Sequence, residues 1–218
     1  MKSILIIGTL DTKGEEVGYL QKQIAQEVYS ERSRRRHQTI VMDVGILGEP
    51  TCPAEVTRQQ VAQAAGSTLA AVAVAEDRRV AVNVMAQGAT EIARQLYQAG
   101  RLSGAIAIGG GTGTFIGATV LRALPIGVPK VMVSTVASRD LRETIGTKDI
   151  TIMHSVVDML GLNAVSRKIL ANAAGAIVGM VEGEVELKPT RLLIGVTVFG
   201  FCTEGGMHIK AALEARGY

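Results

Sequence analysis

The chain has 218 residues, 47% of them apolar and 25 of them glycine, which suits one large ordered α/β domain with the start of another and excludes a disordered chain. Net charge is +3 with 3% aromatic residues, and no aromatic side chain interleaves with the basic run Glu31-Arg32-Ser33-Arg34-Arg35-Arg36, so no nucleic-acid partner is expected. No run of 18 apolar residues occurs, Met1-Lys2-Ser3 leads straight into a strand-like segment, and Cys52 and Cys202 lack metal or disulfide spacing; the expectation is a cytoplasmic protein without membrane span, zinc or disulfide.

The first element is Ser3-Ile4-Leu5-Ile6-Ile7, apolar on both faces as a central parallel strand is. It ends in Gly8-Thr9-Leu10-Asp11-Thr12-Lys13-Gly14, and a helix is expected from about Glu15 to Tyr29, burying Val17, Leu20, Ile24 and Val28. Thr39 to Val44 reads as the second strand, closed by Gly45 and by Gly48-Glu49-Pro50. Asp43, near its carboxyl end, stands where an acidic partner for a ribose is often placed; capping a turn is the alternative. Pro53 to Ala65 fits a helix, Leu69 to Val74 is ambiguous, and Arg78 to Ala99 fits a long helix stopped by Gly100. The Ala-rich faces of these segments suit close helix packing or a subunit contact, and a homodimer is expected.

The third strand, Ala105 to Ile108, runs into Gly109-Gly110-Gly111-Thr112-Gly113-Thr114 and then into a helix over Phe115 to Leu124. Glycines in such a loop let several amides converge on one anion at a helix N-terminus. Neither G-x-G-x-x-G nor the Walker pattern is met, and a cramped turn would use glycine equally well. Pro129 to Ser134 is the fourth strand, followed by the polar loop Thr135 to Asp140, and Ile150 to Met153 the fifth. A long helix over Asn163 to Val181 precedes a boundary at Glu182-Gly183-Glu184 and Lys188-Pro189. Beyond it, Leu192 to Thr197 reads as a strand and Met207 to Arg216 as a helix, the opening of a second α/β domain over 191–218 after a first over 1–185.

Alternating strands and helices imply a doubly wound parallel sheet of the Rossmann or flavodoxin type, about five strands in the order 2-1-3-4-5. In that order the loops after the first and third strands face each other at the switch point, with the Ser134 to Asp140 loop beside them. Candidate phosphate-site residues are therefore Gly8, Thr9, Asp11, Thr12 and Lys13, then Gly109, Gly110, Gly111, Thr112, Gly113 and Thr114, with Asp43 at the end of the second strand and Ser134 and Thr135 in the loop beside them. Lys13 would neutralise phosphate as a point charge, the threonines would supply hydroxyls, and Asp11 would orient a magnesium ion through water. The structural alternatives are a solvated first-turn lysine, an N-cap at Asp11 or Thr12, and a turn closed by Ser134 and Thr135.

These residues also carry a resemblance. Gly8 to Gly14, Asp43-Val44-Gly45 with Gly48-Glu49-Pro50, Pro129 to Ser138, Ser155-Val156-Val157-Asp158 and Leu170-Ala171-Asn172-Ala173-Ala174 resemble an uncharacterised two-domain family of bacteria, fungi and plants that includes the plant tobamovirus-resistance protein, an inhibitor of viral RNA replication. The resemblance covers nearly the whole chain. It implies an N-terminal ATP-binding domain whose nucleotide-site candidates are the Gly8 to Gly14, Gly109 to Thr114 and Ser134 to Ser138 loops, Ser138 among them, and it agrees with a dimer; the cofactor expected is ATP with magnesium. Where bacterial members are expected to carry Gly-Gly-Ser-Gly-Gly-Thr, this chain has Gly109-Gly110-Gly111-Thr112-Gly113-Thr114, which stays small and hydroxyl-bearing. Virus inhibition is not implied, since it depends on a surface that no motif describes. Other phosphorylated ligands, a dinucleotide, or a mainly scaffolding role are the alternatives. His154 and Asp158 have no nucleophilic partner in the pattern, so whether the chain is an enzyme is left open.

Overall fold

The computed structural model describes residues 2–27, 37–183, 192 and 194–218. Its centre is an all-parallel sheet of β1 (Ser3–Gly8), β2 (Gln38–Asp43), β3 (Gly104–Gly109), β4 (Lys130–Ser134) and β5 (Thr151–His154), in the order β2-β1-β3-β4-β5. This is the expected order. Successive strand residues enter opposite cores, because side chains alternate across a pleated strand. Leu5, Ile7, Ala105 and Ala107 pack on one face with α2 (Arg58–Ala64), α4 (Arg78–Gln98) and α5 (Gly111–Ala123). Ile4, Ile6, Ile106 and Ile108 pack on the other with α1 (Leu10–Glu27) and α7 (Ala164–Glu182). Two short helices, α3 (Leu69–Ala73) and α6 (Arg142–Ile145), complete this unit. By length and composition α7 could cross a membrane, yet its stripe from Leu170 to Val181 covers the second core.

Gly117 brings α5 close to the sheet. A Cβ there would lie 2.5 Å from Ala107 Cβ and 2.7 Å from Met132 Cε, so any side chain would lift the helix. That closeness fixes where the N-terminus of α5 stands at the carboxyl end of β3. At the opposite end of the strands, Lys130 is wholly buried. Its ammonium donates to Pro125 O and Val128 O, each at 2.7 Å, and to Asp149 Oδ1 at 2.8 Å.

Several boundaries differ from the sequence reading. Arg58 rather than Pro53 begins α2, because Thr57 and Gln60 form a capping box and Val56 is used elsewhere. Its backbone pairs with the open edge of β2, through Asp43 N to Val56 O at 2.9 Å and Val56 N to Val41 O at 3.0 Å. The first helix begins at Leu10 instead of Glu15, kinked at Lys13 (φ −130°), and α5 begins at Gly111 instead of Phe115. The ambiguous stretch from Leu69 is helical, with Thr68 as its N-cap. The basic run at 31–36, the expected helix end at Val28 and Tyr29, and the boundary residues Glu184, Lys188 and Pro189 lie outside the described residues.

The described residues up to Gly183 form one compact unit and those of 192–218 another. In the second unit the described residues of the expected strand, 192 and 194–197, form no ladder, and 191 and 193 lie outside the described residues. A strand is defined by its ladder, and among the described residues no neighbour pairs with this segment. A short 3₁₀ turn, Gly200–Cys202, then leads into α8 (Thr203–Glu214), which starts one turn before the expected Met207. Cys52 and Cys202 are both free.

Candidate functional site

The loops after β1 and β3 meet over one cavity of about 520 Å3 at the carboxyl end of the sheet. From the first come Thr9, Asp11, Thr12 and Lys13; from the second come Gly110, Gly111, Thr112 and Gly113. Their donors differ in kind. At α5 the N-cap is Gly110, which has no side chain to cap the helix, and the first intrahelical amide is that of Thr114, bonded to Gly110 O at 2.7 Å. The amides of Gly111, Thr112 and Gly113 thus have no intrahelical acceptor, and all three residues line the cavity. The helix dipole adds partial positive charge at that point.

The first loop spends its donors internally. Asp43 Oδ1 accepts from Leu10 N at 3.0 Å and from Gly45 N at 2.8 Å, so a carboxylate from β2 caps α1. Asp43 is 1% exposed and does not line the cavity, which leaves it in the turn-capping role instead of at a ribose. Burial pushes its carboxyl above the ordinary carboxylate range, against the two amides and the charge of Arg58. Thr9 and Thr12 share a hydrogen bond of 2.9 Å between their hydroxyls. Lys13 is buried at the cavity wall and its ammonium donates to Met159 O in the loop after β5, so it ties two loops together.

Asp11 acts as a clasp. Its Oδ2 accepts from Leu47 N and Gly48 N, both at 3.3 Å, and holds the segment after β2 against the cavity. Arg58 grips the same segment through Gly48 O and, at 3.1 Å, Glu49 Oε2. The other oxygen of Asp11 is sealed from solvent without a partner, beside Gly45. Asp11 is the one carboxylate that lines the cavity, and no cluster of three acidic, His or Cys side chains that could hold a metal by itself stands among the described residues.

The remaining sequence candidates support the loops from behind. Thr114 and Ser134 are buried and their hydroxyls bond each other at 2.7 Å; Ser134 Oγ also accepts from Val136 N at 3.1 Å. Thr135 N donates to Gly109 O at 3.1 Å, and Gly8 O accepts from Val44 N at 3.0 Å. Ser138 is exposed and lines no part of the cavity.

Two features of the site were not legible as such in the sequence. The first is Arg78, which opens α4, lines the cavity and donates to Thr112 Oγ1 at 3.4 Å. Asp77 caps the helix and is occupied by Arg79, at 2.9 Å, which depresses its carboxyl; Arg78 has no ion-pair partner among the described residues. Its signal was the basic pair Arg78-Arg79 at a helix start, where the dipole disfavours cations. The second is an apolar wall, from Val44 and Ile46 after β2 and from Val72, Ala75 and Ala81 on and around α3 and α4.

A protein-family model described as "Uncharacterised protein family (UPF0261) N-terminal domain" matches residues 2–186. A UPF0261 protein of Clostridium tetani is 44% identical over 218 residues, covering 100% of this chain and 52% of the relative. One from Rhizobium meliloti is 40% identical over 215 residues, covering 99% and 51%. The "ToMV resistance protein Tm-1(GCR237)" of Solanum lycopersicum is 32% identical over 233 residues, covering 99% of this chain and 30% of the tomato protein. The chain thus spans about half the length of these bacterial relatives.

Proposed function

From a chain that belongs to the UPF0261 family, as its N-terminal domain, we propose a nucleotide-binding domain that holds the adenosine diphosphate part of its ligand in the cavity between the β1 and β3 loops. The observation that carries this reading is one cavity with two unlike linings. One is three free helix amides and the Arg78 guanidinium, a seat for phosphate. The other is the apolar wall of Val44, Ile46, Val72 and Ala81, a seat for a base. An inorganic anion would leave that wall wet, and an apolar ligand would leave the amides unpaired. ATP is the nucleotide that the sequence resemblance implies, and ADP is the smallest probe that tests both linings. The proposal is of binding; it assigns no reaction.

Calorimetric titration of the full chain with ATP, ADP and AMP tests it. ADP and ATP are expected to bind and AMP to bind more weakly, because the second phosphate supplies most of the contact with α5. Adding magnesium is expected to change the ADP affinity little, since Asp11 is committed to Leu47 N and Gly48 N. Arg78→Ala is expected to weaken ADP by about 10-fold, the worth of one charge-assisted hydrogen bond, without changing the melting temperature. No heat from either ADP or ATP would end the nucleotide reading.

A further inference from the structure

The residues of the phosphate seat also line a second cavity. Arg78, Gly111 and Thr112 also wall a groove of about 440 Å3, completed by Arg79, Val82, Asn83 and Phe115. Phe115 is the single phenylalanine of residues 2–183, and 41% of it is exposed although the helix residues after it are mostly buried. It sits one turn into α5, directly past the free amides. One exposed ring alone needs no explanation. Here it faces a groove continuous with the proposed phosphate position, and Asn83 adds an amide that can both donate and accept toward a ring edge. The Arg79 charge beside it is matched by Asp77.

The site thus offers one anionic seat with an organic seat on each side of it. A nucleoside triphosphate fills the anionic seat and one organic seat, and leaves Phe115 in water. We infer that the ligand is a dinucleotide: its adenosine lies on the Val44 and Ile46 wall, its phosphates at Gly111, Thr112 and Arg78, and its second planar ring on Phe115. This inference rests on the nucleotide reading above and adds what is joined to the far side of the phosphates. An aromatic face takes a planar ring by stacking at little entropic cost, and does so without a specific hydrogen-bond code.

Three probes separate the parts: ADP, ADP-ribose and NAD, the last differing from ADP-ribose by its second planar ring. Each is titrated calorimetrically into the full chain, into Phe115→Ala and into Phe115→Tyr, with thermal melts to show that the variants fold. NAD is expected to bind about 10-fold or more tighter than ADP-ribose to the wild type, the gain falling below about 3-fold in Phe115→Ala and persisting in Phe115→Tyr. ADP should bind all three proteins alike. If ADP binds but NAD gains nothing over ADP-ribose, or keeps its gain in Phe115→Ala, the dinucleotide inference is wrong and the nucleotide reading stands. If none of the three binds, both fall.

Discussion

Gly109→Ala is expected to lower ADP affinity by about 100-fold, the loss of one or two charge-assisted hydrogen bonds, and to destabilise the fold by about 1–3 kcal/mol. The added Cβ would stand 2.6 Å from Gly113 Cα, 2.9 Å from Gly113 C and 3.2 Å from Thr114 N. All of these are main-chain atoms in the first turn of α5, so no rotamer change relieves the clash. Retreat of the helix as a body would open the close packing of Gly117 on Ala107 and Met132 and leave a gap against the sheet. The strain must therefore be taken up by the residues that present the free amides. Gly111→Ala is the matched control for folding, since its Cβ would meet nothing within 4 Å. Urea unfolding and calorimetry with ADP read the two effects separately. A Gly109→Ala protein that binds ADP like the wild type would show that the start of α5 is not where the anion sits.

The second large effect is on stability alone. Lys130→Met keeps the length of the side chain but removes the donor for Pro125 O, Val128 O and Asp149 Oδ1. Leaving two part-buried carbonyls and a carboxylate without the wholly buried ammonium is expected to cost about 3 kcal/mol, read as a lower urea midpoint with an unchanged denaturant slope. Burial pushes the Asp149 carboxyl up, but the Lys130 hydrogen bond, the Gly127 amide and the Lys130 charge together hold it below the ordinary value. A carboxylate lowered on folding contributes its full stabilisation above its unfolded pKa and loses it as pH falls through the folded one. The wild type should therefore lose more stability than Lys130→Met as pH falls from about 4. At neutral pH the folded variant should bind ADP normally, because Lys130 begins β4 while the cavity lies past the strands' other ends. An equal acid sensitivity in the two proteins would remove Asp149 from this account.

Much of the site lay open in the sequence because it depends on local chemistry. Four glycines at Gly109, Gly110, Gly111 and Gly113 mark a place where backbone is to be approached closely, whatever lies around it. Right-handed crossovers leave few strand orders, and the simplest of them is the one observed, which brings together two loops about 100 residues apart. Charged residues were harder to read. Lys13 looked like a phosphate ligand because it follows a Gly-Thr loop, but the carbonyl that takes its ammonium belongs to Met159, far along the chain. Asp43 and Asp11 likewise serve amides of other segments, at Leu10 and Gly45 and at Leu47 and Gly48. Arg78 sat in an unremarked helix start until folding brought it to Thr112.

By itself, then, the sequence determined the two apolar faces of the sheet, the strand order and the glycine turn that leaves α5 uncapped, since each is set by a residue's own shape or by spacing along one segment. The tertiary structure alone decided which charges remain available to a ligand. A long side chain or a carboxylate reaches several ångströms and bonds with whichever unpaired amide or carbonyl arrives there, and burial makes leaving such a group unpaired costly. Those arrivals are contacts between distant segments, so the assignment of Lys13 to Met159, of Asp43 to Leu10, and of Arg78 to the cavity exists only once the chain has folded.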